Sequence, residues 1–193
     1  MKSILVFCSL FLCFSVAAAQ ESLKFALYAQ STASQKLESK NNTEEIVTFV
    51  QDDIVINNIC TFDEMNHAFS VQKAGTYEIT ASISFNPFIY KPIAVTHKND
   101  QVTIVLLIKT STDNFITSKI VSVKKHVFCK GSLNVASTIL TVPTTVFLEE
   151  NEKIAVFVQQ APSSTLQINS ESEAHISRAL GMAVSKAIRI IKL

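Results

Sequence analysis

The side chains best suited to catalysis or metal binding at neutral pH in this sequence are its four histidines. His67, His97, His126 and His175 are scattered along the chain, and none belongs to a metal-ligand spacing such as His-Glu-x-x-His. The chain also lacks a Gly-x-Ser-x-Gly elbow for a nucleophilic serine and a glycine-rich loop for a phosphate. The histidines are therefore interpreted as solvated or core residues, and we expect a protein that is not an enzyme.

Three of the short acidic clusters are candidates for chemistry. A catalytic interpretation would make a pair of acid–base carboxyl groups out of Glu149, Glu150 and Glu152. Such a run of charged residues is, however, typical of a solvated turn. Asp52–Asp53 and Asp63–Glu64 each offer two carboxylates to calcium. Because calcium takes six to eight oxygen ligands, two adjacent carboxylates do not define a site. We therefore predict no cofactor, with calcium as the alternative at these pairs.

Basic residues cluster once, at Lys124, Lys125, His126 and Lys130. Four such residues would recognise an anionic glycan or a lipid head group if they converged. The alternative is that they decorate the end of a strand and the loop that follows it. The cluster is kept as the candidate site for an anionic ligand.

The first residues of the chain have the pattern of a secretory signal. Lys2 precedes the apolar stretch Ile4–Val16, and Ala17–Ala19 supplies small residues for cleavage before Gln20. A membrane anchor is the alternative, but the apolar stretch is too short and lacks a stop-transfer flank. We predict a signal peptide over residues 1–19 and one secreted, extracellular domain over residues 20–193.

Cysteine usage follows from that prediction. Cys8 and Cys13 leave with the signal, so Cys60 and Cys129 remain in the mature chain. In an oxidising compartment two thiols commonly form one disulfide, and the alternative is a pair of buried free thiols. A zinc site is not expected, because the two residues do not form a Cys-x-x-Cys pair.

Secretion also bears on Asn41, which begins the acceptor sequence Asn41-Asn42-Thr43 for N-linked glycosylation. A eukaryotic secretory pathway would use this site, and other pathways would not. Asn41 is therefore a glycosylation candidate that depends on the source of the chain.

Composition indicates a single folded domain. Hydrophobic residues make up 48% of the 193 residues and charged residues 17%, with 13 Phe and 3 Gly, which excludes a disordered or collagen-like chain. The formal net charge of +1 gives no electrostatic reason to expect nucleic-acid binding. Beyond the signal, no apolar run is long enough for a helix to span a membrane.

Short β-prone segments separated by polar turns dominate the rest of the chain. Tyr77, Ile79, Ala81 and Ile83 alternate with polar residues, as in a strand with one buried face. Val102–Lys109 is more continuously apolar, as in a strand covered on both faces. Further strands are predicted at Ile46–Val50, Ile54–Ile56, Ile116–Val123, Leu133–Val142, Thr145–Leu148 and Ile154–Val158. The pattern predicts an all-β, antiparallel, two-sheet sandwich of eight to ten strands.

The C-terminal segment supports two interpretations. In Ile176–Leu193, Ile176, Leu180, Val184 and Ile188 recur at helical spacing, and the basic residues lie mostly on the opposite side. That pattern is typical of a basic amphipathic helix that lies on a membrane. The final residues, from Ile188 to Leu193, are equally compatible with a closing strand, so periodicity leaves the choice open.

The order of these segments resembles the globular head of the complement first-component q subunit and the related tumour-necrosis-factor-like jelly rolls. In the most diagnostic portion, Phe69–Tyr77, a Phe and a short strand precede Gly75, which permits positive φ, and then an aromatic residue. In Leu148–Ile154, Asn151 stands where the family has Gly, in a left-handed turn. The other matching segments are Lys24–Ala29, Ile46–Phe49, Ile54–Asn57 and Ala187–Leu193. The collagen-like stalk and the family's closing aromatic–Gly pair are absent.

The resemblance implies a jelly-roll sandwich, assembly as a homotrimer, and recognition of a protein, glycan or surface through the loops. Aromatic residues to fill the contacts between protomers are expected among Phe25, Tyr28, Phe85, Phe88, Tyr90, Phe147 and Phe157. The final strand, with Ile188, Ile190 and Lys192, would lie near the trimer axis. We therefore expect a secreted, non-catalytic recognition or structural module. The alternatives are a membrane-active protein that uses the C-terminal segment and the structural tip of a virion or surface fibre.

Overall fold

The computed structural model of the chain describes residues 26–37, 43–89, 101–113, 115–129, 138–161, 172–176 and 184–193. The expected signal peptide at residues 1–19, Asn41 and Lys130 lie outside these ranges. The described residues form thirteen strands and two short 3-10 turns, at Gln51–Asp53 and Phe115–Thr117. None of the helical segments in this described part has the length and apolar character needed to cross a membrane.

The strands are as follows in chain order: β1 (Ala26–Ser31), β2 (Gln35–Leu37), β3 (Glu44–Ile46), β4 (Ile54–Asn57), β5 (Cys60–Asp63), β6 (Ala68–Val71), β7 (Gly75–Ile89), β8 (Gln101–Ser111), β9 (Lys119–Cys129), β10 (Thr138–Leu148), β11 (Lys153–Gln160), β12 (Ser172–Ile176) and β13 (Lys186–Lys192). The number exceeds the expected eight to ten partly because very short strands such as β2 and β3 are separate elements.

Two antiparallel sheets pack face to face, which confirms the predicted all-β sandwich. The first sheet has the order β2-β12-β7-β13-β1-β4, and β10 pairs with the other edge of β7. The second sheet has the order β5-β6-β11-β8-β9, and β3 pairs with β11. Neighbours in each sheet are mostly distant in sequence, and this arrangement is compatible with a jelly roll.

The predicted alternation on β7 is confirmed and forms the centre of the core. Tyr77, Ile79, Ala81 and Ile83 are fully buried between the sheets, while the intervening residues lie on the outer face. Aromatic rings that face the first sheet complete this core. The ring of Phe69, on β6 of the second sheet, lies 5.8 Å from that of Phe49, in an edge-on arrangement. Such packed aromatic pairs add stability beyond the area that they bury.

The apolar run on β8 is covered on both faces, as predicted. Ile104, Leu106 and Ile108 face the main core. Val105 and Leu107 belong to a second apolar cluster, which also contains Phe157 of β11. The ring of Phe115, from the 3-10 turn that follows β8, lies 5.4 Å from the Phe157 ring and packs against this outer cluster.

The C-terminal segment forms a strand over residues 186–192, so a helix is wrong for these residues. β13 lies between β1 and β7 and is antiparallel to both. Ile188 and Ile190 are fully buried on its inner face, whereas Arg189 faces outward and its Nη2 donates to Glu78 Oε1 at 2.8 Å. Pairing on both edges satisfies the backbone more completely than an isolated short helix would, and it explains why the strand prevails.

The turn between β10 and β11 has the predicted left-handed residue, since φ of Asn151 is 66°. The backbone N–H of Glu149 donates to Glu152 Oε2 at 3.0 Å, so one acidic side chain fastens the turn. Gly75 has the expected positive φ, of 158°, which residues with a side chain rarely adopt. Glycine is also required there by close approach, because a Cβ atom would lie 2.7 Å from Cε of Lys192.

Three predicted strands have wrong boundaries. Ile116–Val123 is a strand only from Lys119, because Phe115–Thr117 forms a 3-10 turn, and β9 then continues to Cys129. Ile46–Val50 is a strand only up to Ile46, because the Gln35 side chain donates to the Ile46 carbonyl and accepts from the backbone N–H of Thr48. These side-chain bonds take the place of the backbone hydrogen bonds that would continue the strand. β10 is one continuous strand through Pro143, whereas the sequence predicted a break there. Proline is tolerated because β10 pairs by backbone with β7 alone.

Candidate functional site

An open cavity of about 470 Å³ lies at one end of the sandwich. Three chain segments meet around it: the connection from β4 to β5, the connection from β6 to β7, and the end of β13. Its lining consists of Asn58, Ile59, Gln72, Lys73, Tyr77, Lys192 and Leu193. The volume lies within the range of small-molecule sites in proteins, which makes this cavity the candidate site.

Tyr77 joins the floor of the cavity to the core. Its side chain is fully buried, and its hydroxyl donates to the carbonyl of Lys73 at 2.5 Å. Burial raises the pKa of the phenol above its usual value, with a smaller contribution from Cys60. Tyr77 therefore remains a neutral donor at physiological pH and fixes the turn that carries Lys73.

Lys192 is held over the same tyrosine. Its Nζ donates to the carbonyl of Ala74 at 2.9 Å and lies 5.8 Å from the centre of the Tyr77 ring. The absence of a side chain at Gly75 leaves room for the lysine stem. These contacts place a cation at the cavity with restricted freedom, which reduces the entropy lost when it binds an anion.

The remaining walls are also fixed by the fold. Asn58 Oδ1 accepts from the backbone N–H of Ala26 at 2.9 Å, and Gln72 Nε2 donates to the carbonyl of Cys60 at 3.3 Å. The backbone N–H of Leu193 donates to the carbonyl of Thr76 at 2.9 Å. The cavity is thus bounded by segments that the two sheets anchor.

Sequence reasoning missed this cavity. Its lining comes from two separate stretches, 58–77 and 192–193, that strand pairing brings together. The one sequence signal was the Gly75-x-Tyr77 pattern, which was interpreted only as a turn leading into a strand. Lys73 and Lys192 did not form a cluster in sequence.

The predicted basic cluster does not converge. Lys124 and Lys125 are consecutive exposed residues of β9, so their side chains point to opposite faces of the strand. His126 is half-buried, and Lys130 lies outside the described residues. These positions do not form one anion-binding surface among the described residues.

The carboxylates considered for calcium take part in local turns. Asp53 Oδ2 accepts from the backbone N–H of Val50 at 3.0 Å. Asp63 accepts from the side-chain amide of Asn66 at 2.8 Å and from Lys153 Nζ at 3.4 Å. These bonds, with that of Asn66 the largest, lower the Asp63 pKa. In the described part of the chain, no three His, Cys, Asp or Glu residues are placed to hold a metal ion.

His67 has a structural position. Its backbone is left-handed, with φ of 48°, and its Nδ1 lies 2.7 Å from the carbonyl oxygen of Phe49. The ring therefore fastens the turn between β5 and β6 to the segment before β4. Of the other histidines, His97 lies outside the described residues.

The predicted Cys60–Cys129 disulfide is absent, because Cys60 is a buried free cysteine. The strand register explains this result. Cys60 begins β5, near the end of the second sheet where Ser111 pairs with Lys153, whereas Cys129 pairs with Gln101 at the opposite end of β8. Ten residues of strand correspond to about 33 Å, whereas a disulfide needs Cα atoms within about 7 Å.

Cys60 is expected to resist alkylation in the folded protein. Burial raises its pKa from 9.0 to about 12, so the reactive thiolate is scarce at neutral pH. The chain starting at Gln20 should gain no iodoacetamide adduct at Cys60 when native, and should gain adducts at Cys60 and Cys129 when denatured without reductant. Peptide mapping by mass spectrometry measures both results. A peptide pair linked through Cys60 and Cys129 would contradict the register argument.

No protein-family model matches this chain, and comparison with curated proteins finds no significant similarity.

Proposed function

We propose that the chain is a secreted, non-catalytic recognition or structural module that acts as a homotrimer and binds a protein, glycan or surface through its loops. The observation that carries the assembly is the outer face of the first sheet, where a nearly uncharged surface exposes Ile139 and Phe147 to solvent. The resemblance to complement-q-like and necrosis-factor-like heads supports the number of subunits.

Strand β10 is the main element of this surface. None of its eleven residues is charged, and its outward side chains Ile139 and Phe147 are 47% and 59% exposed. The edge of β10 away from β7 contacts β9, where Ser122 Oγ donates to the Pro143 carbonyl and Thr144 Oγ1 donates to the Val121 carbonyl, so the strand offers a partner its outward side chains and not a free edge. A strand of this composition is therefore better suited to contact a second copy than to contact water.

The neighbouring strands continue the same surface. Register places Gln30, Ala187, Ser82 and Thr141 in one uncharged row across four strands. The charge of Arg189, in the adjacent row, is compensated by Glu78. A wide face with few uncompensated charges loses little on desolvation, which favours association.

Only some of the residues expected at the contacts between protomers are exposed. Phe147 is exposed and Tyr28 is half-buried on this face, but Phe85 and Phe157 are buried within the protomer. Ile188 and Ile190 also belong to the protomer core, so an axis contact by β13 would use its outward residues. Phe25, Tyr90 and the side chain of Phe88 lie outside the described residues.

Two reactive side chains of the described residues have structural surroundings: burial raises the pKa of the Cys60 thiol to about 12, and the His67 ring is engaged with the Phe49 carbonyl. The membrane-active alternative depended on a C-terminal helix. Because residues 186–192 form a central strand, we do not propose that alternative.

Phe147→Asp is expected to dissociate the trimer, because a carboxylate buried without a partner in the contact between protomers is strongly unfavourable. Light scattering on the chain starting at Gln20 should give about three times the monomer mass for the unchanged protein and the monomer mass for the variant. Met65→Asp is the matched control, since Met65 is 90% exposed in the β5–β6 turn. A monomeric unchanged protein at micromolar concentration would refute the proposed assembly.

A further inference from the structure

We propose that the cavity at the end of the sandwich binds a small organic carboxylate, with Lys73 and Lys192 facing its charge and Ile59 and Leu193 facing an apolar body. This site is independent of the proposed assembly, which uses the outer face of the first sheet. It would give each protomer a ligand site of its own.

The charge of the lining selects an anion. Lys73 and Lys192 contribute two ammonium groups, and none of the described residues that line the cavity has an acidic side chain. One hydrogen bond from Lys192 goes to a neutral carbonyl, which holds the ammonium in place without neutralising it. The two ammonium groups outnumber the main-chain carboxylate at Leu193, the other charged group of the described lining, so an anionic ligand would compensate the remaining positive charge.

The shape of the lining selects a ligand that is not a bare ion. A volume of about 470 Å³ is far larger than an inorganic anion needs. Ile59 is buried at the wall, the aliphatic stem of Lys192 passes over the Tyr77 ring, and Leu193 closes the opposite side. Aliphatic and aromatic surface beside two cations is complementary to a carboxylate on an apolar body.

The arrangement is organised before a ligand arrives. Tyr77 fixes the turn of Lys73, and the Ala74 carbonyl together with the space above Gly75 fixes the path of Lys192. The ammonium of Lys192, held in this way, loses less conformational freedom on binding than that of a free surface lysine does, whereas the exposed Lys73 is fixed only through its backbone carbonyl. The cavity therefore differs from Lys124 and Lys125, which point away from each other on β9.

Naphthoate, with neutral naphthamide as its isostere, tests the proposal. Two-dimensional NMR should show that naphthoate shifts the signals of Ile59, Tyr77 and Leu193. Calorimetry should give naphthamide an affinity at least about tenfold lower than that of naphthoate. Equal binding of the two probes, no binding of naphthoate, or shifts that lie elsewhere would overturn the proposal. Displacement of naphthoate by inorganic phosphate at equal concentration would also overturn it, because a plain anion site needs no apolar wall.

Variants of the lining test the roles of the lysines. Lys192→Gln should weaken naphthoate binding about tenfold, whereas Lys119→Gln, on the exposed start of β9, should leave it unchanged. Gly75→Ala keeps both charges but forces Lys192 to move, so it should also weaken binding. Lys73→Gln repeats the test at an exposed turn if the Lys192 variant does not fold. Unchanged binding in folded Lys192→Gln or Lys73→Gln protein would refute the assignment.

Discussion

Replacing Ile190 by aspartate is expected to abolish the fold. Ile190 is fully buried on β13, between Leu27 of β1 and Ile79 of β7. The variant would place a carboxylate in an apolar core without a partner, at a cost above about 5 kcal/mol. Because domains of this size are stable by only about 5–15 kcal/mol, most of the protein should be unfolded. Far-ultraviolet circular dichroism and urea unfolding measure this loss.

Arg189→Gln is the matched control for the aspartate variant. Its side chain is half-exposed on the opposite face of the same strand and pairs with Glu78. Exposed ion pairs of this kind contribute about 0–1 kcal/mol, so the control should unfold close to the unchanged protein. A stable Ile190→Asp protein would mean that the C-terminal segment is not a core strand.

This contrast also shows why periodicity left the C-terminus open. Ile188 and Ile191 fit a helical stripe, whereas Ile188 and Ile190 fit a strand, and the segment is too short to separate the two periods. The choice is made by tertiary contacts, because β1 and β7 each offer an unpaired edge to these residues. Those edges belong to segments more than a hundred residues away, so the local sequence of the C-terminal segment does not indicate the pairing.

Other parts of the fold followed directly from local sequence. The alternation from Tyr77 to Ile83 predicts one buried face, and the apolar run of β8 predicts two. The structure buries those faces. The left-handed turn at Asn151 was also predictable, because few residues adopt that conformation at low cost. Each of these features depends on residues close together in the chain.

The functional features were less predictable, because they depend on contacts between residues that are distant in the chain. The thiols of Cys60 and Cys129 suggested a disulfide by count, but strand register places their backbones at opposite ends of the second sheet. The cavity lysines, Lys73 and Lys192, are brought together only by the pairing of β7 with β13. Register in a sandwich of non-local strands is not encoded in the spacing of a few reactive residues.

The ion pair between Glu44 of β3 and Lys109 of β8 gives a second large expected effect. Lys109 is buried in the outer apolar cluster, and its Nζ contacts Glu44 Oε2 and lies 5.1 Å from the centre of the Phe157 ring. Glu44→Gln would leave the ammonium with only the ring and a neutral amide. Removing one partner of a buried pair costs about 3–5 kcal/mol, and partial exposure of Glu44, at 29%, lowers the expectation to about 2–3 kcal/mol.

Lys109→Met should cost much less than Glu44→Gln, although both break the same pair. Methionine keeps the apolar stem against Phe157, and Glu44 retains access to water, so we expect a loss below about 1 kcal/mol. The double variant should then match Lys109→Met alone, because no buried cation remains to be compensated. Urea unfolding of the three variants measures these differences. Equal losses in the two single variants would show that desolvation of Lys109 does not govern the pair.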